Sequence, residues 1–257
     1  MKLNKIATII QARNGSSRLP NKTGDDFGDS PLLTKVVNRL VDGPVDTDIW
    51  VTTTDKPEDN SICDIASNLG VNVFRGDEFN VLKRFADCIN AMPKTPDLIV
   101  RMCADRPFAC YQLLKELLEI YSLMGEPDYF CNNKPISYPR GFDLEIIKSS
   151  AIQRTYEVID WENTFTEKSY DVEEEHVTPY IFYRPDIFDI QSYTCPYINL
   201  GWVNLTIDEQ IDHDSLLPIQ NRLEAIPGYF TYRDVFNLIT TNPQLFKGNM
   251  DVEHFNP

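Results

Sequence analysis

The chain has 257 residues, 42% hydrophobic and 25% charged, which is a globular composition with room for one large α/β domain or two small ones. Its formal net charge of −15 argues against nucleic acid as a partner, because binding a duplex relies on neutralising phosphates. No apolar run approaches a membrane span or a signal-peptide core, so a soluble cytoplasmic protein with no membrane partner is expected.

The first predicted element is a β-branched apolar run over residues 6–10, which suits a buried strand. The chain then changes character. Between Gln11 and Lys22 it holds three cations, Arg13, Arg18 and Lys22, together with Gly15, Ser16 and Ser17. A glycine lets the backbone pass close to a ligand and turn sharply, and serine hydroxyls with successive N–H groups can cradle phosphate oxygens. Arginine offers phosphate a planar fork and lysine a point charge. A solvated basic loop has the same composition, but a place between the first strand and a helix favours a nucleoside triphosphate site. The loop is neither a P-loop nor a Gly-x-Gly-x-x-Gly fingerprint.

Ser30 and Pro31 signal a helix start, and Leu32, Leu33, Val36, Val37 and Leu40 give that helix one apolar face. A second strand is expected over 48–53, with Thr53, Thr54 and Asp55 at its end, where ligands sit in open α/β sheets. A helix over 57–69 closed by Gly70, a strand over 71–74, a helix over 81–91, a strand over 97–102 and a helix over 111–124 follow. Strand and helix alternate with short joins, which implies a mostly parallel sheet covered on both faces.

From Tyr129 the rhythm changes. A short strand over 129–132, a turn after Tyr138 feeding a strand up to Ile147 and a helix over 149–158 are expected. A polar, aromatic loop over 160–171 then leads to a helix opening near Glu173. Strands over 188–193 and 203–207, helices over 210–225 and 231–239 and a loose tail over 242–257 complete the chain. The expected fold is a three-layer α/β/α, Rossmann-like domain over 1–241, its mixed sheet mostly parallel with inserted antiparallel elements. The six cysteines form no Cys-x-x-Cys pair and read as reduced core residues.

Asp105 ends an otherwise apolar strand and Asp208 ends the run over 203–207. Magnesium binds through one or two carboxylates plus phosphate oxygens and water, so two aspartates from separate strands suffice. On the residues alone, each reads more readily as a cap on the helix or turn that follows. The segment from Tyr138 through Arg140 and Asp143 to Glu145 reads as a turn and a strand, and His176 stands at a helix start, where one histidine is more often structural.

These stretches together carry a family resemblance. Ile9-Ile10-Gln11-Ala12-Arg13-x-Gly15-Ser16-x-Arg18-Leu19-Pro20-x-Lys22 resembles the opening of cytidylyltransferases of the spore-coat-polysaccharide type, relatives of the enzymes that make CMP-Kdo and CMP-acylneuraminate. Arg75-Gly76 with Val81, Leu82 and Arg84, the Arg-x-x-Ala104-Asp105 motif, Tyr138-Pro-Arg140-Gly-Phe-Asp143, His176-Val-Thr-Pro-Tyr180 and Thr206-x-Asp208 match further family motifs in order. They span about four-fifths of the chain. The resemblance implies a nucleotidyltransferase fold, with a nucleotide-binding half over about 1–125 and an acceptor-binding half over about 126–241. It implies a Mg²⁺-dependent transfer of CMP from CTP to a small anionic acceptor, a sugar acid or phosphorylated metabolite, for surface polysaccharide. It also implies a homodimer.

By the same resemblance Arg13, Lys22 and Arg18 are the catalytic cations. Ala12, Gly15, Ser16, Ser17, Thr53, Thr54, Asp55, Arg75 and Ala104 surround the nucleotide. Tyr138, Arg140, Asp143, Glu145 and His176 receive the acceptor, and Asp105 and Asp208 hold magnesium. Two departures stand out: Glu174 where a basic residue is usual, and the acidic stretch over 23–30. One rival is a glycosyltransferase using a nucleotide sugar, whose Asp-x-Asp metal motif has two matches in spelling, Asp46–Asp48 and Asp212–Asp214. The other is a nucleotide-binding protein without turnover.

Overall fold

The computed structural model describes residues 5–16, 18–41, 43, 45–165 and 171–248. Its strands are β1 (Ile6–Gln11), β2 (Asp48–Thr54), β3 (Asn72–Gly76), β4 (Leu98–Cys103), β5 (Tyr129–Cys131), β6 (Glu145–Lys148) and β7 (Ile190–Ser192). They form one sheet in the order β3-β2-β1-β4-β6-β5-β7. The first four are parallel, β6 runs antiparallel to both β4 and β5, and β7 is parallel to β5.

Alternation along β1 explains the layers, because successive side chains in a strand point to opposite faces. Ile10 joins a core with Leu33, Val36 and Val37 of α1 (Leu32–Val41) and Leu114 and Leu117 of the later α4 (Tyr111–Leu123). Ala7 and Ile9 join the opposite core with Leu82, Phe85 and Ile89 of α3 (Val81–Ala91) and Ile152 of α5 (Ser149–Phe165). The remaining helices are α2 (Asn60–Asn68), α6 (Asp171–His176), α7 (Pro179–Phe182), α8 (Gln210–Glu224) and α9 (Tyr232–Thr241). The three-layer, mostly parallel expectation is borne out.

Strand order locates the site. The chain builds β1, β2 and β3 outward, then returns to place β4 on the other side of β1. Such a reversal opens a crevice at the carboxyl ends of the two strands. Here it is closed below by two backbone hydrogen bonds, Ala12 N–H to the Thr52 carbonyl and Ala104 N–H to the Gln11 carbonyl, both 3.0 Å.

Four expectations need correction. Residues 203–207 form no strand, because the Asn204 amide oxygen accepts from the Thr206 N–H and hydroxyl and so diverts that backbone from a ladder. Only a single bridge joins Arg140 and Asn204. Helix α5 continues to Phe165, since no glycine or proline interrupts the start of the expected loop; 166–170 lie outside the described residues. The helix expected from Glu173 is two pieces, α6 and α7, separated by Val177 at φ 70°, a left-handed value rare for a β-branched residue. The tail includes a 3₁₀ turn, Pro243–Phe246, whose Phe246 is buried. Among the described residues no helix is long and apolar enough to cross a membrane.

Candidate active site

The loop after β1 is held from below. The Asn14 N–H donates to Asp59 Oδ1 at 2.7 Å, and its side-chain amide donates to the Glu58 carbonyl at 2.7 Å and the Ser61 hydroxyl at 2.9 Å. Asp59 is itself buried and accepts the Thr54 N–H and hydroxyl. These contacts pin the loop while its cations turn the other way. Arg13, Arg18 and Lys22 line a cavity of about 250 Å³ with Ala12, Ser16, Ala104 and Asp105, and Arg84 of α3 joins them. Four cations gathered on one small cavity, in a chain of net charge −15, make a local binding place for a polyanion.

Arg84 is the clearest sign of that purpose. Its side chain is buried, and one guanidinium nitrogen donates to the Asp77 carbonyl at 2.7 Å while Nε finds no protein partner. Burial, and then the neighbouring Arg13 charge, pull its pKa down to about 10. A polyanion would relieve both penalties. Arg75, on β3, is used differently. It donates to the Thr54 and Lys56 carbonyls and to the Asn60 side chain, so it braces the loop after β2. Arg84→Met should therefore weaken nucleoside triphosphate binding about ten- to hundredfold, the scale of a lost charge-assisted contact, while Arg75→Met lowers the melting temperature. Titration calorimetry with nucleoside triphosphates and thermal melting check the pair.

Lys22 joins the two aspartates. Its Nζ lies 2.9 Å from Asp208 Oδ1 and 3.6 Å from Asp105 Oδ2, and donates to the Ile207 carbonyl at 2.7 Å. Burial works against the ammonium, but the two carboxylates outweigh it and hold its pKa above the ordinary value. Asp208 is held low for the converse reason: burial opposes its charge, and Lys22 and Arg18 more than offset it. Arg18 reaches Asp208 at 3.2 Å. The chain places Asp208 here through the Ile207 N–H, which donates to the Asp105 carbonyl at 2.9 Å. Asp105 Oδ1 is buried and makes no hydrogen bond, with only a long ion pair to Arg106 Nε at 3.8 Å. A carboxylate oxygen without a hydrogen bond beside a second carboxylate suits a hard divalent cation that completes its shell with phosphate and water. Among the described residues no group of three or more His, Cys, Asp or Glu is gathered to cage a metal.

A larger cavity of about 610 Å³ adjoins the first and shares Gln11, Cys103, Asp105 and His176 with it. Arg140, Asp143, Glu145 and His176 line it as the resemblance implies, together with Lys134, Asn133 and Trp202. Gly141 explains the position of Arg140: at φ 102°, a Cβ there would meet the Leu205 backbone at 3.0 Å. Only glycine lets this turn lie against residues 203–207, bonded from the Arg140 N–H to the Val203 carbonyl and from the Leu205 N–H to the Arg140 carbonyl. His176 sits beside the Val177 kink, a γ-turn closed from the Thr178 N–H to the His176 carbonyl at 2.8 Å. Burial holds the imidazole below its ordinary pKa of 6.5, so it is neutral at pH 7.

Two carboxylates of this cavity are already engaged. Asp143 pairs with Arg106 at 3.2 Å. Glu145 is buried; it pairs with Arg101 at 2.5 Å and accepts the Tyr129 and Thr178 hydroxyls. Burial alone would raise the Glu145 carboxyl, but Arg101 and the two hydroxyls outweigh it and hold it below the ordinary 4.5. A carboxylate lowered in the folded state stabilises fully above its unfolded value and ceases to do so as pH falls through the folded one. Melting temperature should therefore fall on acidification below about pH 4.5, and Glu145→Gln should flatten that slope.

Several expected residues are not brought to either cavity. Tyr138 is buried against Phe236 of α9 and belongs to the core. Thr53 and Thr54 are buried beneath the loop, and Asp55 is exposed outside the cavity lining. Gly15 is absent from the lining, and its missing Cβ faces Glu58 instead, at 3.3 Å. Ser17 lies outside the described residues. Asn14, Arg101 and Arg106 join the site without having been expected there; Arg101 is the arginine that opens the Asp105 motif and Arg106 follows it, while nothing in its sequence context marks Asn14. Neither Asp-x-Asp pair serves a glycosyltransferase. Asp46 and Asp48 are exposed at the amino end of β2, and Asp212 is buried as the capping partner of α8, accepting the Asp208 and Glu209 N–H groups.

A mostly parallel sheet whose switch point gathers cations and two aspartates suits a nucleotidyltransferase. Comparison with known proteins narrows this. Residues 7–210 match the cytidylyltransferase family model, and the chain belongs to that family. It is 34% identical over 249 residues to an uncharacterised protein of Methanocaldococcus jannaschii, covering 96% of each chain. It is 28% identical to the spore coat polysaccharide biosynthesis protein SpsF of Bacillus subtilis, covering 94% of this chain and 96% of that one. A cytidylyltransferase structure from Leptospira borgpetersenii superposes with a TM-score of 0.83 at 26% identity, covering 98% of this chain and 100% of the other.

Proposed function

We propose that the enzyme transfers CMP from CTP to a small anionic acceptor, with Mg²⁺ bound by Asp105 and Asp208. The observation that carries this reading is the convergence of Arg13, Arg18, Lys22 and Arg84 on a cavity that adjoins a second one at Asp105 and His176. The triphosphate lies among the cations and the acceptor lies in the larger cavity, beside Arg140 and Lys134. The acceptor oxygen attacks the α-phosphorus and pyrophosphate leaves. Transfer at phosphorus asks little covalent work of a protein, and positioning with charge neutralisation carries the rate. Arg13, Lys22 and Arg84 grip the phosphates and Arg18 steadies Asp208. His176 accepts a hydrogen bond from the attacking hydroxyl, or from the acceptor's acid group when that is protonated. Bound magnesium would orient the phosphates and stabilise the departing charge.

The acceptor is a sugar acid or a phosphorylated small molecule, used for surface polysaccharide. The name of the Bacillus relative supports that setting. The division near residue 125, the cytoplasmic location and a homodimer formed through exposed Tyr197, Ile198 and Trp202 belong to the same proposal. Pyrophosphate release from CTP and Mg²⁺, screened against sugar acids and phosphorylated polyols, tests it. Release with one such acceptor is expected. Release with none, by an enzyme that binds CTP, would contradict the transferase reading and favour binding without turnover.

A further inference from the structure

The Lys22 ammonium stands where a divalent cation would have to sit. It donates to Asp208 Oδ1 at 2.9 Å and to the Ile207 carbonyl at 2.7 Å, and lies within ion-pair reach of Asp105 Oδ2 at 3.6 Å. For both carboxylates to ligate one ion, their oxygens must converge on this same space. Magnesium–oxygen distances of about 2.0–2.1 Å leave no room for an ammonium between them. The lysine can leave, because its stem is flexible and it also lines the cavity given to the triphosphate.

We propose that Lys22 is a resident cation that holds the two carboxylates until nucleotide arrives, so that metal and CTP load together and the metal alone binds poorly. This rests on the metal assignment above. A free divalent ion would have to displace an ammonium and approach Arg13, Arg18 and Arg84. A nucleotide changes both terms. Its phosphates neutralise the arginines and offer Lys22 a new partner as it withdraws from the aspartates.

Manganese binding, read from the loss of the free aqueous Mn²⁺ resonance in electron paramagnetic resonance, tests this without turnover. Without nucleotide, Lys22→Met and Lys22→Gln should each bind Mn²⁺ at least about tenfold more tightly than the unaltered chain, since a unit charge within a few ångströms is removed. Adding Asp105→Asn to either variant should abolish the gain. Circular dichroism melting establishes that each variant is folded, and the glutamine variant keeps a hydrogen-bonding group if methionine does not fold. Equal or weaker Mn²⁺ binding by the folded variants would overturn the proposal, as would a gain that survives Asp105→Asn. A separate outcome addresses the assignment beneath it. If Asp105→Asn and Asp208→Asn leave Mn²⁺ binding in the presence of CTP unchanged, the metal is held elsewhere and both readings fail.

Discussion

Lys22→Ala is expected to lower turnover at least about a hundredfold, the scale of removing one preorganised charge from a site where charge develops. The substitution removes the ammonium that touches Asp105, Asp208 and the Ile207 carbonyl and that lines the phosphate cavity. Asp208 keeps Arg18 at 3.2 Å, so the fold should survive. The loss should appear mainly in turnover, because stabilisation realised in the transition state is what disappears. Pyrophosphate release under saturating CTP measures it. Near-normal turnover would remove Lys22 from the mechanism.

The second large effect is on stability. Glu145→Ala is expected to destabilise the protein by roughly 3–5 kcal/mol, because it leaves the largely buried Arg101 charge with the neutral Gln11 amide oxygen in place of a carboxylate. Arg101 and Glu145 stand opposite each other on β4 and β6, where the antiparallel half of the sheet joins the parallel half. The same change leaves the Tyr129 and Thr178 hydroxyls without their common acceptor. At ~2–4 °C per kcal/mol the melting temperature should drop by about 6–20 °C. Replacing both partners together with apolar residues of similar volume should recover much of the loss, since the pair's own net contribution is small once desolvation is counted. A drop of less than about 1 kcal/mol in the single variant would mean that Arg101 finds another partner.

The parallel half was legible because its signals are local. Apolar period and glycine or proline punctuation mark β1 through α4, and α3 falls on Val81–Ala91 as expected. The cations of the first loop were legible too, since a strand followed by Arg13, Arg18 and Lys22 needs no long-range knowledge. What the sequence hid depends on distant partners. Tyr138 is core because Phe236, about a hundred residues later, packs on it. Residues 203–207 have the alternation of a strand, yet the Asn204 side chain captures the backbone that a ladder would use. Arg75 lies on β3 and Arg84 on α3, the next element, and only the direction each side chain takes separates a brace from a ligand-facing cation. The split between α6 and α7 is marked only by Pro179, which disfavours helix at Thr178 but does not announce the left-handed Val177.

The most direct test of the central claim is thermal unfolding with CTP, UTP, ATP, GTP and nucleotide sugars, each with Mg²⁺. A ligand at a hundred times its dissociation constant adds about 2.7 kcal/mol. That is several degrees here, at the usual ~2–4 °C per kcal/mol. The account predicts that CTP alone raises the melting temperature, and that the shift is lost without magnesium or in Asp105→Asn. A shift with a UDP- or GDP-sugar and none with CTP would contradict it.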